Sequence, residues 1–260
     1  MRYLVVEAHP DDLVFFCGGT IAKLVEEGHE ISVLTVTDGQ GGTMNPRYDT
    51  EERLAAVMRQ EHGKACACLN INDVSYLGEK NHFVEPTHAL REKITRHVRK
   101  VQPASVFSFD PWNFDENPDH RAVGLAVLEA CSFAHMHLFH PEHLQEGLST
   151  AIVAKVIQFK TPSPNTFVDI SSTLDYKIKA ALAYESQIEL MKDEGRLRLE
   201  KLGMRHQIFE GEFAEIVAMT LRKMAAETGK PANLPAAEAF HVRGLGILEN
   251  AREVVGEFGI

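Results

Sequence analysis

Two short stretches concentrate the side chains able to do acid–base or metal chemistry. "AHPDD", residues 8–12, carries His9, Asp11 and Asp12, and "NPDHRAVG", residues 117–124, carries Asp119 and His120. A single Asp where a helix begins reads as a cap, because its carboxylate accepts backbone N–H bonds and meets the positive end of the helix dipole. Two adjacent carboxylates with a histidine two residues before them put like charges on one turn, which requires a compensating cation. Pro10 restricts its own φ and keeps the residue before it extended, so this turn is stiff. His, Asp and His together suit Zn²⁺ or a similar borderline divalent ion, and three protein ligands leave positions open to water and substrate.

Side chains from two distant stretches can meet only if the fold brings their elements side by side. "YLVVEA" reads as a strand and "DDLVFFCGGTIAKLVEEGH" as a helix ending near Gly28; "EISVLTVTDG" and "TEERLAAVMRQEHGKACACL" repeat the pair. "DVSYLG", "HALREKITRHVRKV", "SVFSFD" and "DHRAVGLAVLEACSF" continue the alternation to about residue 133. Such repeats need right-handed crossovers, which predicts a three-layer α/β/α, Rossmann-like, mostly parallel sheet with ligands bound at the carboxyl ends of its strands. Both acid/His turns fall at such ends. Beyond residue 140, "AKVIQFKT" and "TFVDIS" read as strands, "TLDYKIKAALAYESQIELMK" as one long helix and "GEFAEIVAMTLRKMAAET" as another. The late strand "EAFHV" either rejoins the sheet or covers the site.

The chain's 260 residues contain no Pro/Ser/Gly-rich linker and are expected to form a single domain, its part beyond about 140 adding strands and helices over the site. With 27 basic and 37 acidic residues the net charge is −10, and no local basic patch offsets it, so nucleic acid is not an expected partner. No apolar run is long enough for a membrane span and no export signal is evident. Cys17, Cys66, Cys68 and Cys131 lie in apolar contexts without CxxC spacing, which reads as reduced core thiols in a cytoplasmic protein. A homo-oligomer is left open.

"AHPDDLVFFCGGTIAKLVEEGH", "TVTDGQGGT", "PDHRAVG", "VDIS" with "LDYKIKAALAYESQ", and "EAFHV", in this order between residues 4 and 242, resemble the LmbE-like, or PIG-L, family of metal-dependent N-deacetylases. The resemblance implies that His9, Asp12 and His120 bind the metal, with Zn²⁺ the default and Fe²⁺, Mn²⁺ or Co²⁺ also compatible. It implies that Asp11 is the general base and that Asp119 orients a ligating imidazole or the backbone around the site. The implied partner is a small N-acetyl sugar of the N-acetylglucosamine type, or a conjugate of one. The rival readings are an amidase acting on a non-sugar amide and a metal-containing binding module without turnover.

Several positions depart from the family pattern. Leu13 stands where the first motif usually continues with Glu, and Asn117 where the second usually begins with a histidine assigned to oxyanion stabilisation. Asn117 can donate a neutral amide hydrogen bond there but no positive charge. Met58 stands where an arginine is frequent, and Tyr184-Glu185-Ser186-Gln187 replaces the usual His-x-Ser-Gln. Among other polar features, "DGQGGT" lacks the following helix that a dinucleotide loop needs, and Gln40 within it reads as a polar loop residue. "HMHLFHPEH", with four of the chain's 13 histidines, reads as a solvated strand edge and loop, and Trp112 as a packed loop anchor.

Overall fold

The computed structural model describes residues 1–113 and 115–246. Seven strands form one sheet: β1 (Arg2–Glu7), β2 (Glu30–Thr37), β3 (Asp73–Glu79), β4 (Ser105–Phe109), β5 (Lys155–Phe159), β6 (Thr166–Asp169) and β7 (Ala237–Gly244). Their order is β3-β2-β1-β4-β5-β7-β6, parallel from β3 to β5, with β7 antiparallel to both β5 and β6. The mixed sheet is therefore mostly parallel, and "EAFHV" rejoins it as part of β7.

Helices α1 (Asp12–Glu26), α2 (Glu51–Cys68), α3 (His88–Val101) and α4 (Pro118–Phe133) supply the crossovers. They are followed by α5 (Pro141–Gln145), α6 (Leu174–Ala181), α7 (Glu185–Lys201) and α8 (Phe213–Gly229). α6 packs on α1 and α2, while α3 packs on α4. A sheet covered on both faces has no solvated side, so its central strands are apolar throughout rather than alternating: Leu4, Val5 and Val6 of β1 are all fully buried. Burying each such side chain contributes about 1.5–3 kcal/mol. α3 shows the complementary one-sided pattern, with Leu90, Ile94, Val98 and Val101 inward and Thr87 capping its first turn.

The order of strands reverses direction between β1 and β4, where the chain crosses out to β2 and β3 and returns through α3. Loops leaving such a pair diverge and open a crevice at the carboxyl ends. α4 sits close over this point because Gly124 carries no side chain: a Cβ there would lie 2.6 Å from the carbonyl oxygen of Phe109.

Three local expectations are corrected. The long helix expected over residues 173–192 is two, α6 and α7, separated at Leu182–Tyr184. Tyr184 is fully buried there and donates its hydroxyl to the Pro10 carbonyl at 2.5 Å, a tertiary contact that overrides an unbroken helical pattern. "HMHLFHPEH" forms turns and α5 rather than a strand edge, and its His143 is fully buried. Trp112 is 64% exposed rather than packed.

Candidate metal and catalytic site

The crevice between β1 and β4 holds His9 and Asp12 from the first turn and His120 from the second. One donor atom from each lies within 4.8 Å of the others. Asp12 is fixed from below, its Oδ2 accepting the N–H of His9 at 2.7 Å and of Ala8 at 3.1 Å. His9 Nδ1 lies 3.4 Å from Asp12 Oδ2, and His120 Nε2 lies 3.3 Å from Asp12 Oδ1 and 3.2 Å from His9 Nδ1.

The outer nitrogen of each ring meets a carboxylate: His9 Nε2 is 3.3 Å from Asp119 Oδ2, and His120 Nδ1 is 2.7 Å from Asp115 Oδ2. With those nitrogens donating, the inner nitrogens present lone pairs to one another and to Asp12. Electron pairs facing each other at this separation demand a cation between them, and carboxylate-oriented imidazoles are how proteins prepare metal ligands. The donor chemistry therefore fits a divalent metal. Charge says the same. Burial disfavours a protonated His9, yet Asp12 and then Asp119 hold its ring well above the ordinary histidine range, and against the same burial Asp12 raises His120. Burial would raise Asp12, but His120 and then His9 hold its carboxyl well below the usual range. The cluster favours positive charge at its centre.

Asp119 is fully buried and ties the loop after β3 to the site by accepting the N–H of His82 at 2.7 Å and of Val84 at 3.1 Å. Asp115 accepts from Lys160 Nζ at 2.8 Å and from the Asn117 N–H at 3.0 Å. His120 is further fixed by stacking on Phe109, ring centroids 4.0 Å apart.

The three donors open on a cavity of about 530 Å³, which Asp11 and Asn117 also line. Asp11 precedes α1 without using its side chain as a cap, and burial and then Asp12 push its carboxyl above the ordinary range. Asn117 caps α4, its Oδ1 accepting the Asp119 N–H at 3.0 Å, which leaves its amide nitrogen as the group to offer the cavity. Asn81 and Gln187 also line the cavity; Asn81 is buried, and its Oδ1 has no hydrogen-bond partner among the described residues.

Other residues singled out from sequence lie elsewhere. Leu13 is core, and its N–H donates to the buried Glu7 carboxylate at 2.9 Å. Gln40 is spent on the Asp38 N–H and the Glu79 carbonyl. His140, Glu142 and His143 bring three donors within 4.8 Å, but His143 lies 2.7 Å from Glu92 and 3.2 Å from the buried Arg99 guanidinium, so this cluster already has its cation. Sequence reasoning missed Asp115, Lys160 and Asn81. Asp115 had a signal, an Asp two residues before the helix-capping Asn117.

The family model described as GlcNAc-PI de-N-acetylase, PIG-L, matches residues 4–131. A diacetylchitobiose deacetylase of Thermococcus kodakarensis is 34% identical over 187 residues, covering 72% of this chain and 70% of that protein. The chain belongs to the PIG-L family. Among solved structures, the N,N′-diacetylchitobiose deacetylase from Pyrococcus horikoshii, complexed with an inhibitor, superposes on this family member with a TM-score of 0.79 at 28% identity, over 94% of this chain and 84% of that one. A 4-carboxy-2-hydroxymuconate hydratase from Pseudomonas putida shares the fold, with a TM-score of 0.67 at 22% identity over 93% of this chain and 95% of that one. The fold of the PIG-L chain thus accommodates more than one chemistry, and the site has to carry the functional argument. Among the described residues no helix is long and apolar enough to cross a membrane.

Proposed function

We propose that this PIG-L member is a metal-dependent hydrolase that removes the acetyl group from an N-acetylated sugar or sugar conjugate. The observation that carries the reading is the pair of facing imidazole nitrogens beside Asp12, with Asp11 opening on the same cavity. His9, Asp12 and His120 would hold the ion, which we assign as Zn²⁺, although Fe²⁺, Mn²⁺ or Co²⁺ would suit the same donors. When bound, the cation supplies Lewis-acid activation of water and of the amide carbonyl.

Asp11 takes a proton from the water that attacks the carbonyl carbon and delivers it to the departing nitrogen as the C–N bond breaks, giving acetate and a free amine. Asn117 donates its amide N–H to the oxyanion, a neutral donor where an imidazolium would be stronger. Asp119 and Asp115 act through the rings they orient. Asn81 offers its Oδ1, which has no partner among the described residues, to a sugar hydroxyl. The deacetylases among its relatives favour an N-acetyl sugar over other amides. We further infer that the chain works as one domain, since β7 completes the sheet begun by β1, and that it works in the cytoplasm, in keeping with its free cysteines.

Amine release from N-acetylglucosamine and its methyl glycosides, measured with one equivalent of Zn²⁺, tests this reading. Release from a sugar is expected. Release only from non-sugar amides would make the protein an amidase of another class, and tight sugar binding without product would make it a binding module.

A further inference from the structure

The cavity has two unlike ends. Its inner end carries the His/Asp cluster, Asn117 and Asn81, whereas its outer wall is built by α7 and α8 from Leu190, Phe213, Ile216, Val217 and Leu221. Phe213, Ile216, Val217 and Leu221 follow i, i+3, i+4, i+8 spacing, so one whole stripe of α8 points at the cavity. Val217 and Leu221 are buried, whereas Phe213, Ile216 and Leu190 keep part of their surface uncovered by protein. The polar side chains these helices add are Gln187, whose amide is turned to the Gly42 carbonyl, and Thr220. Met58 extends the apolar surface inward.

A second sugar placed against this wall would lose water from its hydroxyls and find almost no partners in return, whereas hydrocarbon would cover apolar surface now left open. We propose that the substrate carries an apolar group, an alkyl chain or aromatic ring joined to the N-acetyl sugar, which lies against α7 and α8 while the sugar occupies the polar end. The proposal rests on the deacetylase reading above. It separates this chain from its relatives named for diacetylchitobiose, whose reducing-end unit is itself a polar sugar.

The test compares four compounds below their micelle concentrations: methyl and octyl N-acetyl-β-glucosaminide, diacetylchitobiose and N-octanoylglucosamine. The octyl glycoside should exceed the methyl glycoside at least tenfold in kcat/KM, and diacetylchitobiose should not. A gain confined to N-octanoylglucosamine would put the apolar group on the acyl side and overturn the proposal. Ile216→Asn with Leu190→Asn should cut the gain to within threefold. Equal rates on octyl and methyl glycosides, or a preference for diacetylchitobiose, would overturn the proposal; a second copy of the chain covering the wall, seen by sedimentation, would produce the first pattern. If no compound is hydrolysed, the deacetylase reading fails separately, and calorimetry with octyl glucoside still decides the apolar site. Binding lost in the double variant upholds it, and no binding to the parent overturns it.

Discussion

Two buried charge clusters flank α1, one at its first turn and one at its middle. Behind the helix, Lys177 and Glu238 lie 2.7 Å apart; Glu238 also accepts the N–H groups of Gly19 and Thr20 at 3.0 and 2.7 Å, and Lys177 donates to the Phe15 carbonyl at 2.8 Å. Charge cancels charge, and backbone groups take up the remaining hydrogen-bonding capacity. At the first turn, the ring of carboxylates and imidazoles leaves facing lone pairs that nothing among the described residues fills. A cluster that positions α1 is complete in itself, whereas one that works on a ligand is left incomplete at one point. The Arg99 cluster, with its own resident cation, belongs with the first kind.

Asp11→Asn should leave the metal in place and lower turnover about 10² to 10⁴-fold, because an amide takes no proton. A rate within threefold of the parent, with metal retained, would move the base to another residue. Lys177→Met acts on the complete cluster instead. It strands the buried Glu238 and should cost about 3–5 kcal/mol of stability in denaturant unfolding, while the folded fraction still binds one metal per chain. Adding Glu238→Gln should recover much of that loss; a stability cost below about 1 kcal/mol for Lys177→Met alone would mean the pair is not what holds α1. The smallest effect is expected from Asp119→Asn, which keeps a hydrogen-bonding group beside His9 but removes its charge. Metal affinity should fall about 10- to 100-fold, and unchanged affinity would remove Asp119 from the set that positions the ring.

The polar turn at the end of β1 and its partner at the start of α4 were legible in the sequence because local chemistry marks both: Pro10 and Pro118 punctuate the chain just where acids and histidines cluster. Four of the five parallel strands were legible for a related reason, their short apolar runs alternating with longer helical ones, whereas "AKVIQFKT" reads as a strand with nothing local to place it beside β4. What the sequence hid is set by tertiary contact. Nothing local separates α6 from α7, since the break depends on the Tyr184 hydroxyl reaching the Pro10 carbonyl. Arg99 looks like a solvent-facing residue of an amphipathic helix, yet it is buried with four backbone carbonyls around its guanidinium. The apolar stripe of α8 reads as ordinary core, and only the fold reveals that part of it faces the cavity.

Metal removal and stepwise return tests the incomplete cluster most directly. The chelated protein should release no amine from an N-acetyl sugar, and activity should rise linearly with added divalent ion and stop at one equivalent per chain. Undiminished amine release by the metal-free protein would contradict the assignment of His9, Asp12 and His120 as the ligands of a catalytic ion.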